Sequence, residues 1–161
     1  MPSQGAPVEA AAVDESARPV PAAISRGGLW RTFGTAEGLD FLDLHLEHVV
    51  EDVDGYLWFA TAFNGALRFD GDTFERFRVA DGVPNADLCA MLVDRQGRLW
   101  FGCHSGGLSW RDRAGFHSPG ADVGARSTSF LFEDDRGRLW TAGSGCIGCL
   151  EDGRFRDLVT E

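Results

Sequence analysis

A chain of 161 residues that is 43% hydrophobic, with 12 Phe and 5 Trp, carries enough apolar material for one folded domain with a sizeable core. Its 25 acidic residues outnumber its 15 basic ones, for a formal net charge of -10. Nucleic acid and anionic lipid are bound through clustered Lys or Arg, so neither is expected as a partner of so acidic a chain, whose basic residues are all Arg and dispersed.

Residues 1–26 hold four of the six prolines and many alanines, with no branched or aromatic run able to bury itself, and are expected to form a disordered head. This head lacks the charged start and continuous apolar stretch of a secretory signal. Nothing downstream approaches the ~20 apolar residues of a membrane span, so no membrane segment is expected, and the chain as written reads as cytoplasmic. Cys89, Cys103, Cys146 and Cys149 are too few and too irregularly spaced for a disulfide framework and are expected to be reduced.

From residue 27 onward the chain repeats itself. Asp52-x-x-Gly55-x-Leu57-Trp58, Asp94-x-x-Gly97-x-Leu99-Trp100 and Asp134-x-x-Gly137-x-Leu139-Trp140 place their Trp residues 42 (100 minus 58) and 40 (140 minus 100) positions apart. A period of ~40–45 residues corresponds to one four-stranded propeller blade. The fold expected for 27–161 is therefore all-β: a partial β-propeller of about three four-stranded antiparallel blades, at about 45–79, 87–118 and 127–159, plus one leftover outer strand.

That leftover strand comes first. Trp30-Arg31-Thr32-Phe33, followed by Glu37-Gly38-Leu39, matches Phe74-Glu75-Arg76-Phe77 followed by Asp81-Gly82-Val83, so it reads as an outer strand and linker without a blade of its own. The first strands of the three full units are Leu46 to Glu51, Leu88 to Val93 and Thr128 to Glu133. In the middle unit both alternating sets, Leu88, Ala90, Leu92 and Cys89, Met91, Val93, are apolar, as in a strand sandwiched between layers. The Asp-x-x-Gly step is a tight turn whose Gly takes positive φ and whose Asp accepts bonds from the turn's own N–H groups. An Asp repeated in every unit is architecture rather than a catalytic acid.

The second strands, Leu57 to Thr61, Leu99 to Cys103 and Leu139 to Gly143, carry a small residue two positions after each Trp: Ala60, Gly102 and Ala142. This leaves room for the indole or for an adjoining blade. Burying one Trp removes ~150–250 Å² from water, worth up to ~4–6 kcal/mol before entropy is subtracted, so these rings are expected to hold blade to blade. The third strands follow a Gly, at Gly65 to Phe69, Gly106 to Trp110 and Gly145 to Cys149. They turn through Asp70-Gly71, Asp112 to Gly115 and Asp152-Gly153 into fourth strands opening at Phe74, Phe116 and Phe155. Propellers close with ~4–8 blades, so three blades are expected to need missing propeller blades or self-association.

The pattern Asp-x-x-Gly-x-Leu-Trp-Phe, followed by a Gly-x-Leu strand, an Asp-Gly turn, paired aromatics and an acidic-Gly linker, resembles the two-component regulator propeller repeat from Trp30 to Glu161. The resemblance implies a non-enzymatic sensory or interaction module of a bacterial signal-transduction protein, with a small molecule or protein as ligand and no cofactor. The family habit for the sensory part of hybrid histidine kinases is periplasmic. This chain departs from the family's Trp-Phe/Ile-Gly-Thr run, which reads Trp58-Phe-Ala-Thr61, Trp100-Phe-Gly-Cys103 and Trp140-Thr-Ala-Gly143. The linker Ser118 to Ser129 lacks the acidic-Gly-Leu signature, and no kinase segment is present in these residues. The chain also resembles, more weakly, streptogramin lyase and lactonase-type propellers, which imply the alternative of a metal-dependent enzyme.

Little in the residues supports chemistry. In the repeat register Cys149 falls where Phe69 and Trp110 stand, and Cys146 where Ala66 and Gly107 stand. Two thiols three apart on a strand face opposite ways, against a metal or redox pair. His45-x-x-His48 has the same opposite-face spacing. Neither a Ser/His/Asp constellation nor a phosphate-cradling Gly-rich loop can be assembled, so no catalytic or metal-ligating residue is assigned. The candidate ligand-facing residues are Asn64, His104 and Ser144, in the connections between second and third strands, which a propeller gathers near the mouth of its channel. As plain turn residues they would need no ligand.

Overall fold

In a computed structural model of the chain, described for residues 33–39, 45–119, 127–151 and 153–159, every extended element is a β-strand. The 1–26 head and Trp30 to Thr32 of the leftover strand lie outside the described residues. Twelve strands form three antiparallel four-stranded sheets, each in simple chain order. The first contains β1 (Leu46–Glu51), β2 (Leu57–Thr61), β3 (Gly65–Phe69) and β4 (Phe74–Phe77). The second contains β5 (Leu88–Val93), β6 (Leu99–Cys103), β7 (Leu108–Asp112) and β8 (Gly115–His117). The third contains β9 (Phe130–Glu133), β10 (Leu139–Gly143), β11 (Cys146–Glu151) and β12 (Arg154–Val159). Short 3-10 turns at Thr35–Glu37 and Val79–Asp81 lead toward the first and second sheets.

The sheets stack face to face, and their first strands adjoin, β1 beside β5 and β5 beside β9. Alternation along a strand then decides which sheet each side chain meets. In the first sheet Val50 pairs with Trp58 and His48 with Ala60, so these four share one face. That face packs against the second sheet, in a core that includes Trp58, Met91, Leu99 and Phe101. In the second sheet Leu92 pairs with Trp100, and that opposite face packs against Leu131, Leu139 and Leu150 of the third. Trp58 and Trp100 are 0% and 1% exposed, so each indole is a wedge driven from its own blade into the next. Trp140, the last in the series, is only partly buried.

The small position two after the Trp answers to the same packing. A Cβ added at Gly102 would lie 2.6 Å from Cγ2 of Thr128, which belongs to the segment entering the third sheet. Room is needed there for the neighbouring blade rather than for the indole.

Two registers in the third strands differ from the sequence reading. The third strand of the second sheet is Leu108–Asp112 rather than Gly106 to Trp110, because Gly106 and Gly107, at φ 91° and 120°, extend the preceding turn. Cys149 pairs with Trp140 as Trp110 does with Trp100 and as Arg68 does with Trp58, so its counterpart in the first sheet is Arg68, not Phe69.

Candidate functional site

Two constellations recur from blade to blade, one at each end of the strands. At the first, the repeated Asp is the hub. Asp94 Oδ1 accepts the backbone N–H of Gln96 and Arg98, at 3.0 and 2.9 Å, closing the turn that Gly97 completes at φ 79°. Asp94 Oδ2 accepts the Trp100 indole N–H at 2.7 Å and the Arg98 Nε at 2.6 Å. Asp134 repeats all four bonds, with Arg136 and Arg138 N–H, Trp140 Nε1 at 2.9 Å and Arg138 Nε at 2.7 Å. Asp52 does the same with Asp54 and Tyr56 N–H and with Trp58 Nε1 at 2.7 Å; Tyr56 stands in the place of the Arg. Both carboxylate oxygens are thus occupied by donors of their own blade, which suits a structural hub and leaves little for substrate. The Trp140 indole bond first, with Arg138 beside it, holds Asp134 well below the usual carboxylate range.

Cations cover the indoles. The Arg98 guanidinium lies 5.1 Å from the Trp100 ring and Arg138 lies 5.3 Å from Trp140. Arg111 reaches across from the second blade to within 5.5 Å of Trp58. At the same end, Arg95 N–H donates to Glu133 Oε2 at 2.8 Å and its Nη1 to the Asp135 carbonyl at 2.8 Å, joining second blade to third.

The other end of the strands holds the β2–β3, β6–β7 and β10–β11 turns and the linkers between blades. Turn and linker are joined there by the backbone bonds Gly65 N–H to Ala86 O and His104 N–H to Asp87 O. Asn64, His104 and Ser144 share this end. Asn64 Oδ1 accepts from Arg76 Nη1 at 2.9 Å, turning toward the outer strand β4. His104 is exposed, its Nδ1 3.2 Å from Ser129 Oγ across the second junction, and Ser144 is exposed in its turn.

Sequence reasoning missed Asp87. Its Oδ2 accepts the Ser105 N–H at 3.0 Å and the Ser105 hydroxyl, while its buried Oδ1 has no hydrogen-bond partner among the described residues. The two residues lie 18 positions apart, Asp87 in the linker before β5 and Ser105 in the β6–β7 turn, so no local motif announces them.

The thiols sit in apolar or crowded places. Cys103 is fully buried, and burial drives its pKa far above the usual range. Burial, then Asp87 and Glu47, pushes Cys89 up to about 11, and its Sγ lies 3.0 Å from the Thr128 carbonyl. Cys146 Sγ donates to the Ser127 carbonyl at 3.3 Å on one face of β11, whereas Cys149 lies on the opposite face with Trp140. His48 Nδ1 accepts the Met91 N–H at 3.0 Å and is committed to the first junction. Among the described residues no three His, Cys, Asp or Glu side chains converge as metal ligands, and no helix is long and apolar enough to cross a membrane.

Residues 82–105, which contain the central Asp94-to-Trp100 turn and His104, match the family model described as "Two component regulator propeller". Among curated proteins none matches the chain. Solved structures resemble it in fold. The extracellular domain of a putative hybrid two-component system from B. thetaiotaomicron superposes with a TM-score of 0.62 at 19% identity, over 72% of this chain and 18% of that one. Virginiamycin B lyase from Staphylococcus aureus gives 0.62 at 16% identity, over 76% of this chain and 43% of the lyase. PorZ of Porphyromonas gingivalis, described as an essential surface component of the type-IX secretion system, gives 0.52 at 19% identity, over 72% and 19%. The chain therefore spans less than half the length of each. At these identities the likeness establishes the fold, a partial β-propeller, and one fold here serves an extracellular domain of a putative two-component system, a lyase and a secretion-system component.

Proposed function

We propose that this chain is a non-enzymatic interaction segment of a signal-transduction propeller of the two-component regulator type, whose ring further blades complete and whose turn-and-linker end meets a small molecule or protein. The observation that carries the reading is the family match over residues 82–105, which falls on the linker and first two strands of the second blade. Asn64, His104 and Ser144 are the side chains proposed to meet the ligand, His104 and Ser144 being exposed and Asn64 half-buried.

The competing reading is a metal-dependent lyase-type propeller, favoured by the equal TM-score with virginiamycin B lyase. Such an enzyme needs polar groups from several blades converging on a metal or a reacting atom. Here the repeated carboxylates are occupied within their own turns, and His48 serves the junction between two blades.

A thermal-shift titration with Mg²⁺ and Mn²⁺ separates the two readings. The interaction module is expected to melt at the same temperature with and without the ions. Stabilisation by either ion that disappears in His48→Ala would overturn the proposal in favour of the enzyme.

A further inference from the structure

The two ends of the stack are complementary rather than alike. Each internal junction joins a face bearing a Trp to a face bearing the alternate residues of the next blade. At the first junction Val50 and Trp58 meet Met91 and Phe101; at the second Leu92 and Trp100 meet Leu131 and Leu139. By the same register the third sheet presents one more Trp-bearing face, made of Phe130, Phe132, Trp140, Ala142 and Ile147. Phe130, Phe132 and Ile147 on it are 71%, 63% and 43% exposed. The first sheet presents one more receiving face. Its Val49, paired with Phe59, stands where Met91 pairs with Phe101, yet Val49 is 52% exposed and Met91 only 2%.

We propose that a second copy of this chain covers the third sheet, its first sheet receiving Trp140 as the second sheet receives Trp58. The inference rests on reading the sheets as propeller blades. A junction of this kind is heterologous, joining two different surfaces, and two of them between two copies would close a ring of twice three blades. That total lies inside the ~4–8 of known propellers.

The outer corner of the receiving face is already filled. Phe33 stacks edge-on to Phe69 and Phe74, at 4.8 and 5.6 Å, in the place that Phe77 takes 5.9 Å from Phe116 at the first junction. The new contact is therefore built on the inner two strands, where both ends are open. It also carries a repulsion. Asp135 stands where Arg95 stands in the second blade, and Glu51 of the first sheet stands where Glu133 accepts the Arg95 backbone N–H, so the junction brings Asp135 and Glu51 to one edge between two chains of net charge -10. Screening by salt tightens such a junction.

Sedimentation velocity of the full chain from about 1 to about 100 µM tests this, a range that brackets micromolar affinity. The expected result is a monomer–dimer equilibrium that shifts toward dimer as NaCl is raised. Val49→Arg and Phe132→Arg should each give monomers that melt as the native chain does when dilute and monomeric, since both sites are exposed. An equimolar mixture of the two variants should recover a dimer and nothing larger, because each retains the face the other has lost. A native chain that stays monomeric, association that survives either substitution, or a mixture that fails to associate would overturn the proposal. A monomer whose Trp100 remains shielded from solvent would refute the docking while leaving the blade reading intact.

Discussion

At the scale of the residue, the repeated Asp binds the turn to the wedge. Its role in the turn is legible from Asp-x-x-Gly, because a carboxylate at the first position and a Gly at the last are what a tight turn with positive φ requires. The bond to the indole is not legible, since Asp and Trp lie six positions apart and meet only when the hairpin folds back. Asp94→Ala removes the turn acceptor, the Arg98 partner and the acceptor of a buried indole N–H together. A cost of ~3 kcal/mol is expected, measurable by urea denaturation. For Asp134 the folded pKa lies below its unfolded value of 3.8, so its contribution is fully present above that pH and lost as pH falls through the interval beneath it. The melting temperatures of the native chain and Asp134→Asn should therefore converge as pH is lowered below 3.8, and a gap that holds constant would refute the assignment. Cys89, raised to about 11 although partly exposed, should react with iodoacetamide at pH 7.5 far more slowly than a free peptide thiol.

At the scale of the element, the first and second strands of the blades follow from the alternation of apolar residues and the position of the Asp-x-x-Gly turn. The third strand of the second blade is harder to place. A Gly pair offers two equally permissive positions, and hydrophobic pattern alone does not say whether Gly106 and Gly107 belong to strand or turn; the pairing of Trp100 with Trp110 settles it. The same alternation makes the three Trp residues unequal in energy. Trp100→Ala opens a cavity between two blades and is expected to cost ~3–5 kcal/mol, as for other large core deletions. Trp140→Ala, on a face that no other sheet covers among the described residues, should cost ~1 kcal/mol or less by the same reasoning. Equal losses in the two variants would show that the rings are not inter-blade wedges.

At the scale of the whole molecule, the repeat period makes the number of blades countable from the amino-acid sequence. The direction of each wedge is not readable in the same way. Whether a strand's odd or even residues face the preceding or the following blade depends on how sheets stack, and only the shared core of Trp58 with Met91 and of Trp100 with Leu139 reveals it. The loop residues Asn64, His104 and Ser144 can be placed at one end of the strands from sequence, whereas the turn of Asn64 toward Arg76 depends on how the strands pair. The central claim is that each Trp belongs to the interface with the next blade, the last one facing an open place. Labelling the chain with 5-fluorotryptophan, assigning the ¹⁹F signals by single Trp→Phe substitutions and adding a soluble paramagnetic agent to dilute, monomeric protein tests it directly. The Trp58 and Trp100 signals should stay sharp while that of Trp140 broadens; a Trp140 as sheltered as Trp100, or a Trp100 as open as Trp140, would contradict the account.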